Sequence, residues 1–250
     1  MKVTVLGCGS SPGVPRIDGS WGDCDPNEPR NRRRRSSILV QTDATSVLVD
    51  TSPDLREQFI SAGVKHLDAV VWSHDHADQT HGIDDLRYLT LVMRRQIEAW
   101  GDQMTLDRLQ AKFRYCFEGH AGYPAILQAR LIPGRFAIGD IPIEPIEQDH
   151  GTIPSLGFRF GDIAYNNDVV RLSDRAFEQL AGVKVWIVDA LRYLPHPTHT
   201  HVAQTLEWIA RVKPERAILT NMHVDLDYRK LAAELPPGVE PAYDGMVIEV

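Results

Sequence analysis

Short apolar runs of strand length recur in both halves of the chain, with helix-like segments between them. Each such run must bury an apolar face against another layer, so the alternation indicates an α/β fold. Two sheets packed face to face with helices outside would accommodate it, as would a doubly wound sheet. The runs predicted as strands are 2–6, 38–41, 46–50, 69–72, 141–146, 157–160, 163–166, 183–189 and 216–220, and the predicted helices are 52–62, 174–181, 202–212 and 227–234.

Two segments in the N-terminal quarter carry clear local signals. Ser52 and Pro53 are typical of an N-cap and a first helical turn, and Gly63 is typical of a helix end. The stretch 7–29 is rich in glycine and proline and is too long for a plain turn. Loops of that length are usually functional or ordered by a partner, so we expect a role for this one.

The overall composition is that of an ordinary globular protein. With 250 residues, 43% hydrophobic and 24% charged, the chain can bury a sizeable core, and a single domain over 1–250 suffices. The N-terminus lacks the apolar region of a signal peptide, and no stretch approaches the length of a membrane span. We therefore expect a cytoplasmic protein with no membrane association.

The net charge of −7 argues against generic nucleic-acid binding, which depends on cationic contacts with phosphates. The run from Arg30 to Arg35 is a local exception, and it could either dock an anionic ligand or form a solvated, ion-paired arm. The three cysteines are widely spaced and contain no CxxC pair, so free thiols are expected.

The strongest chemical signal lies in the segment 73–82, directly after the predicted strand 69–72. Its candidate ligands are three imidazoles and the carboxylate of Asp78, all within eight residues. His74 and His76 can project to one side of an extended loop, while Asp78 and His81, three apart, share a face once the chain turns helical. Two adjacent metal subsites are predicted. Imidazole and carboxylate suit zinc, manganese or iron, and zinc or manganese is favoured.

This histidine and aspartate pattern resembles the metallo-β-lactamase superfamily, whose members add a distant histidine, a bridging aspartate and a late histidine at strand ends. The resemblance implies an αββα sandwich and two divalent ions per chain. One ion would take His74, His76 and His150, and the other Asp78, His81 and His223, with Asp168 bridging. Taken singly, the three distant residues could instead be a turn residue and two helix caps. The resulting net positive site would suit an anionic substrate.

Several segments resemble the PhnP-like branch more narrowly: LGCGSSPGVP, WGDCDPNEPRNRRRRSS, VDTSPDLREQ, HGIDDLR and TNMHVDLDY. That branch includes phosphoribosyl cyclic phosphodiesterases. The resemblance implies that His199 approaches the substrate phosphate and that Asp50 orients a metal-bound imidazole. The N-terminal loop has only Cys24, with Cys8 before it, where characterised members carry extra cysteines, so no structural zinc is expected.

The sequence thus predicts a metal-dependent phosphodiesterase acting on a small, cyclic phosphodiester. The predicted catalytic residues are Asp78 and His199, with Arg34 and Arg35 as further substrate contacts and a homodimer as a possible assembly. A nuclease of the transfer-RNA-processing type is the alternative within the fold, and a non-catalytic metal-containing binding protein is the alternative from another class. A lactamase or thioesterase is less favoured, because no export signal is present and the branch-specific segments differ.

Overall fold

The computed structural model describes residues 1–250 and contains fourteen strands and eight α-helices. The strands are β1 (Lys2–Gly7), β2 (Ser37–Gln41), β3 (Ser46–Val49), β4 (Ala69–Val71), β5 (Ile97–Gly101), β6 (Leu127–Leu131), β7 (Phe136–Ile138), β8 (Ile141–Asp149), β9 (Pro154–Phe160), β10 (Ile163–Asn166), β11 (Val185–Asp189), β12 (Arg216–Thr220), β13 (Val239–Pro241) and β14 (Val247–Glu249). The helices are α1 (Leu55–Ala62), α2 (Ala77–Thr80), α3 (Leu86–Met93), α4 (Gln103–Lys112), α5 (Arg114–Glu118), α6 (Asp174–Leu180), α7 (Val202–Val212) and α8 (Tyr228–Glu234).

The strands form two mixed sheets of seven strands each. The first has the order β14-β1-β2-β3-β4-β5-β6, and the second has the order β13-β12-β11-β10-β9-β8-β7. In the first sheet β3 to β6 run parallel, and in the second β10 to β13 run parallel. The carboxyl ends of several strands therefore meet at one edge of each sheet, where loops can converge.

Strand residues alternate between two separate apolar layers, as the pleat requires. In β3, Val47 and Val49 join the core between the sheets, while Leu48 faces a second core against the helices. That outer core includes Leu55 and Phe59 of α1, and the outer side of the second sheet is covered by α6, α7 and α8. Both faces of the central strands are buried, which explains their continuous apolar runs. The predicted αββα sandwich is confirmed, and no helix has the length and apolar character needed to cross a membrane.

The first helix begins later than its sequence signals suggest. Asp54 occupies the N-cap and α1 starts at Leu55, because Ser52 forms a turn in which its hydroxyl accepts from the Asp54 amide at 3.1 Å. The predicted end is confirmed, since Gly63 has the left-handed φ of 66°. The sequence patterns did not locate α3, α4, α5 or the strands β5, β6, β7, β13 and β14.

Candidate metal centre

Histidine, aspartate and asparagine side chains converge where strands of both sheets end. Asp50 follows β3, His74 follows β4, Asp168 follows β10, and Asn221 follows β12. Three of these residues adopt a left-handed backbone: Asp50 with φ 65°, Asp168 with φ 52° and Asn221 with φ 60°. Non-glycine residues rarely do so, and such residues cluster at functional sites because the surrounding structure must hold them there.

Three of the predicted ligands form one group. A potential ligand atom from each of His74, His76 and His150 lies within 4.8 Å of the others. The imidazole rings of His74 and His150 stand 5.0 Å apart, and the ring of His76 lies 4.5 Å from that of His74. His74 and His150 are buried, whereas His76 is exposed at the start of α2. The group therefore opens to solvent on one side.

Asp50 orients His74 through an intervening serine. The Asp50 carboxylate accepts hydrogen bonds from both the amide and the hydroxyl of Ser73, each at 2.8 Å. With its proton given to Asp50, the Ser73 hydroxyl accepts from His74 Nδ1 at 3.0 Å. His74 Nε2 is then the unprotonated nitrogen, and it is buried without a hydrogen-bond partner. Burial raises the pKa of Asp50 to about 8, against the opposing effect of the Ser73 hydrogen bonds.

His150 is held in the same tautomer by the backbone. Its Nδ1 lies 2.8 Å from the carbonyl oxygen of Thr198, to which it donates, so Nε2 carries the lone pair, and His76 Nδ1 lies 3.3 Å from that nitrogen. Burial, with His199 nearby, lowers the pKa of His150 to about 4, and burial also holds the pKa of His74 well below its usual range. Both rings are neutral at neutral pH, which is the form that binds a metal ion.

The residues of this group fit a divalent metal ion. Three imidazoles form the ligand set of catalytic sites that keep an open coordination position. In this group His74 Nε2 is buried without a partner, and the ring of His150 is oriented by the Thr198 carbonyl. We refer to His74, His76 and His150 as the first ligand set. The remaining predicted ligands, Asp78, His81, Asp168 and His223, form the second ligand set.

Asp168 joins a different group from the one predicted. It lies with His150 and His199, again with ligand atoms within 4.8 Å of one another. Its carboxylate is buried and accepts from the side-chain amides of Gln79 at 3.0 Å and Asn167 at 2.7 Å. Burial raises the pKa of Asp168 well above its usual range, while the nearby His199 opposes that shift.

Asp189, at the end of β11, contacts the predicted site residue His199 and was not itself predicted from the sequence. Its Oδ2 lies 2.9 Å from His199 Nδ1, and the carboxylate is fully buried. Burial lowers the pKa of His199, but Asp189 and Asp168 overcome this effect and raise it to about 9. The signal in the sequence is an aspartate directly after a fully apolar strand, the same signal that marks Asp50.

In the segment 73–82, the side chain in contact with the Asp78 carboxylate is that of Gln79, and not that of a histidine. Gln79 is buried, and its side-chain nitrogen lies 3.3 Å from Asp78 Oδ2. His81 belongs to neither group of potential ligands, and its exposed ring packs against Phe113 with 5.4 Å between ring centroids. Helix α2 ends at Thr80 and His81 is its C-cap, and metal binding by His81 stays a prediction.

His223 lies outside both groups of potential ligands as well. Its Nε2 is 2.6 Å from the guanidinium of Arg16, in the long loop 7–29. Its Nδ1 lies 3.0 Å from a carboxylate oxygen of Asp225, although outside hydrogen-bond geometry. Within the second ligand set, Asp78, Asp168 and His223 therefore each accept an N–H group of the protein, whereas His81 makes a ring contact with Phe113.

The arginine run has structural partners throughout. Arg33 is buried and donates to the carbonyls of His223 and Leu226 at 3.2 and 2.6 Å. Arg34 pairs with Asp244 at 3.6 Å, and Arg35 pairs with Asp54 at 3.0 Å. Substrate contact by Arg34 and Arg35 stays a prediction, and neither side chain reaches the two groups of ligands through a hydrogen bond. Cys24 is a free thiol, and its Sγ contacts backbone carbonyls.

Comparison with known proteins gives a consistent family signal. Residues 45–222 match the family model described as a β-lactamase superfamily domain. A crystal structure described as a new diphosphatase from the PhnP family superposes with a TM-score of 0.93 and 32% identity, covering 100% of this chain and 97% of that one.

Two curated sequences are similar over part of their length. An octanoyltransferase from Porphyromonas gingivalis (strain ATCC BAA-308 / W83) is 31% identical over 253 residues, which cover 98% of this chain and 51% of that protein. A ribonuclease Z from Bradyrhizobium sp. (strain ORS 278) is 29% identical over 139 residues, which cover 53% of this chain and 46% of that protein. The alignments thus span about half the length of each of these curated relatives.

Proposed function

This chain belongs to the metallo-β-lactamase superfamily and is PhnP-like, and from that premise we propose that it hydrolyses a small phosphoric diester or anhydride. The PhnP-family structure is described as a diphosphatase, which supports phosphorus as the atom attacked. A cyclic phosphodiester, as the sequence predicts, is the narrower form of the proposal.

One observation carries the proposal: the first ligand set stands beside a histidine that is paired with a buried carboxylate. The rings of His150 and His199 are 4.8 Å apart, and His199 Nδ1 is held by Asp189 at 2.9 Å. When bound at the first ligand set, a zinc or manganese ion supplies Lewis-acid charge and makes water a competent nucleophile near neutral pH.

His199 would act on the substrate. Because Asp189 receives Nδ1–H, the other ring nitrogen remains for a phosphoryl or leaving-group oxygen. With a pKa of about 9, the ring is an imidazolium at neutral pH and can give a proton to a departing alkoxide. Asp189 would both orient the ring and stabilise its positive charge, as carboxylates do for catalytic histidines.

A nuclease of the ribonuclease Z type is the second candidate, favoured by the partial similarity to the Bradyrhizobium protein. Such an enzyme needs cationic surface to hold its polymer substrate. The net charge of −7 and the ion pairs of Arg34 and Arg35 count against it. The observations favour a small substrate.

A substrate screen with metal-reconstituted protein tests the proposal. We expect turnover of ribose 1,2-cyclic phosphate, or of a nucleoside diphosphate, to exceed that of precursor transfer RNA and of a thioester. A His74→Ala variant is the matched control for contaminating phosphatases, since it lacks a ligand of the first set. Preference for precursor transfer RNA would select the nuclease, thioester hydrolysis alone would refute phosphorus chemistry, and a metal-loaded protein inactive on all four would indicate a binding protein.

A further inference from the structure

We propose that this chain binds one divalent ion, at the first ligand set, and that Arg16 and Gln79 fill the second ligand set with N–H groups of the protein itself. The proposal rests on the proposed function only for the presence of an ion at the first ligand set. Three contacts carry it, and each removes a lone pair that a second ion would need.

Gln79 stands between two carboxylates of the second ligand set. Its Nε2 is 3.0 Å from Asp168 Oδ2 and 3.3 Å from Asp78 Oδ2. The reverse orientation of the amide would direct its oxygen at the same two carboxylates, so the nitrogen is the atom that fits there. An amide nitrogen donates hydrogen bonds and has no lone pair for a metal ion. Gln79 thus joins Asp78 and Asp168 where a cation would otherwise join them.

The carboxylate oxygens of Asp168 are both engaged. Oδ2 accepts from Gln79 and from Asn167, and Oδ1 lies 3.3 Å from the side-chain amide of Asn221 and 3.5 Å from His199 Nδ1. A bridging carboxylate needs lone pairs free for two ions, on one oxygen or on both. In this buried position Oδ2 of Asp168 already accepts two hydrogen bonds and Oδ1 accepts one, from the side chains of Gln79, Asn167 and Asn221.

Arg16 occupies one ring nitrogen of the last predicted ligand. Its guanidinium donates to the lone pair of His223 Nε2 at 2.6 Å, so this lone pair is not available to a metal ion. Arg33 fixes the same segment by donating to the His223 carbonyl. Since arginine stays charged at all accessible pH values, its guanidinium also repels a second cation. This assigns a role to the long loop 7–29, which holds a permanent positive charge at the site.

Metal stoichiometry tests the proposal without reference to turnover. Apo-protein would be loaded with excess Zn²⁺, and in parallel with Mn²⁺, desalted, and its content measured by elemental analysis and native mass spectrometry. The wild-type chain should retain roughly one metal ion per chain, as a site of three histidines binds. The double variant Arg16→Ala, Gln79→His, which clears the guanidinium and adds an imidazole beside Asp78, should retain roughly two.

A matched variant controls for adventitious binding to the added histidine. Arg16→Ala, Gln96→His carries the same two types of change, with the new imidazole at an exposed position before β5, and should stay at roughly one equivalent. Thermal unfolding followed by circular dichroism checks that each variant folds. Two equivalents in the wild type would overturn the proposal. One equivalent in the folded Arg16→Ala, Gln79→His protein would also overturn it, since Arg16 and Gln79 would then not be what excludes the ion.

Discussion

The two ligand sets lie side by side at the same edge of the sandwich, yet their polar atoms are arranged in opposite ways. In the first set, Ser73 and the Thr198 carbonyl take the Nδ1–H groups of His74 and His150, which leaves their Nε2 lone pairs facing the centre. In the second set, N–H donors from Arg16 and Gln79 point at the would-be ligand atoms. Ligand identity alone therefore does not make a metal site, because the hydrogen-bond partner of each ligand decides which lone pairs are free.

The largest expected effect comes from breaking the first set. His150→Ala removes one of three imidazoles, so the protein should lose its ion and its phosphodiester hydrolysis should fall about 10⁴-fold, because water activation and charge stabilisation are lost together. Metal content and kcat/KM would be measured on the same preparation. His66→Ala, at an exposed histidine paired with Arg95, is the control and should keep both. Retention of metal and activity by the His150 variant would remove His150 from the site.

Loss of His199 should separate metal binding from proton transfer. His199→Ala should keep the full metal content and lose about 10³-fold in kcat on substrates with alkoxide leaving groups, within the range of general acid catalysis. Nitrophenyl esters, whose leaving group needs no proton, should be less affected. Equal losses on both kinds of substrate would make His199 a phosphate-binding residue, and loss of the ion would make it a ligand.

Ser73→Ala tests whether the hydrogen bonds from Asp50 through Ser73 to His74 raise the metal affinity of the first ligand set. The variant removes the acceptor of His74 Nδ1–H, so affinity for Zn²⁺ should fall about 10- to 100-fold while the fold is retained. Competition with a chromophoric chelator gives the dissociation constant. Ser73→Thr, which keeps the hydroxyl, should recover most of the affinity. An unchanged affinity in the alanine variant would mean that the Nδ1 contact does not matter for the metal.

The smallest expected effect concerns Arg34, which the sequence predicts to bind substrate. Its side chain pairs with Asp244 at 3.6 Å and is 30% exposed, so Arg34→Ala should lower the free energy of unfolding by less than about 1 kcal/mol. KM should stay within about twofold of the wild type, because a lost substrate contact would be worth more than that. Urea unfolding and initial rates measure the two quantities. A tenfold rise in KM would restore the substrate assignment.

The sequence predicted the fold well where strands are apolar and turns have clear chemistry. The run 163–166 matches β10, and Gly63 ends α1 as expected. The region from α3 to β7 was not located, since β5, β6 and β7 are only partly buried and therefore carry no continuous apolar run.

In the site, too, residues with a local sequence pattern were predicted and contacts between separate segments were not. The histidines of the first set were grouped by the pattern and by the resemblance, and the structure brings them together. The contacts of Arg16 with His223 and of Asp189 with His199 join segments 207 and 10 residues apart, and no spacing rule contains them. Gln79 stands next to Asp78 in the sequence, but its contact with Asp168 joins residues 89 positions apart and has no local signal.

The left-handed backbone at Asp50, Asp168 and Asn221 also limits how this site can diversify. For residues other than glycine that conformation costs roughly 1–2 kcal/mol, and asparagine and aspartate tolerate it best. Variant libraries at these positions would therefore be depleted in valine and isoleucine before any selection for activity. Exchange between aspartate and asparagine is the change that the backbone permits most easily, and it alters charge without altering shape. New chemistry at this edge of the sandwich is thus most easily reached by changing the charge at Asp50, Asp168 or Asn221.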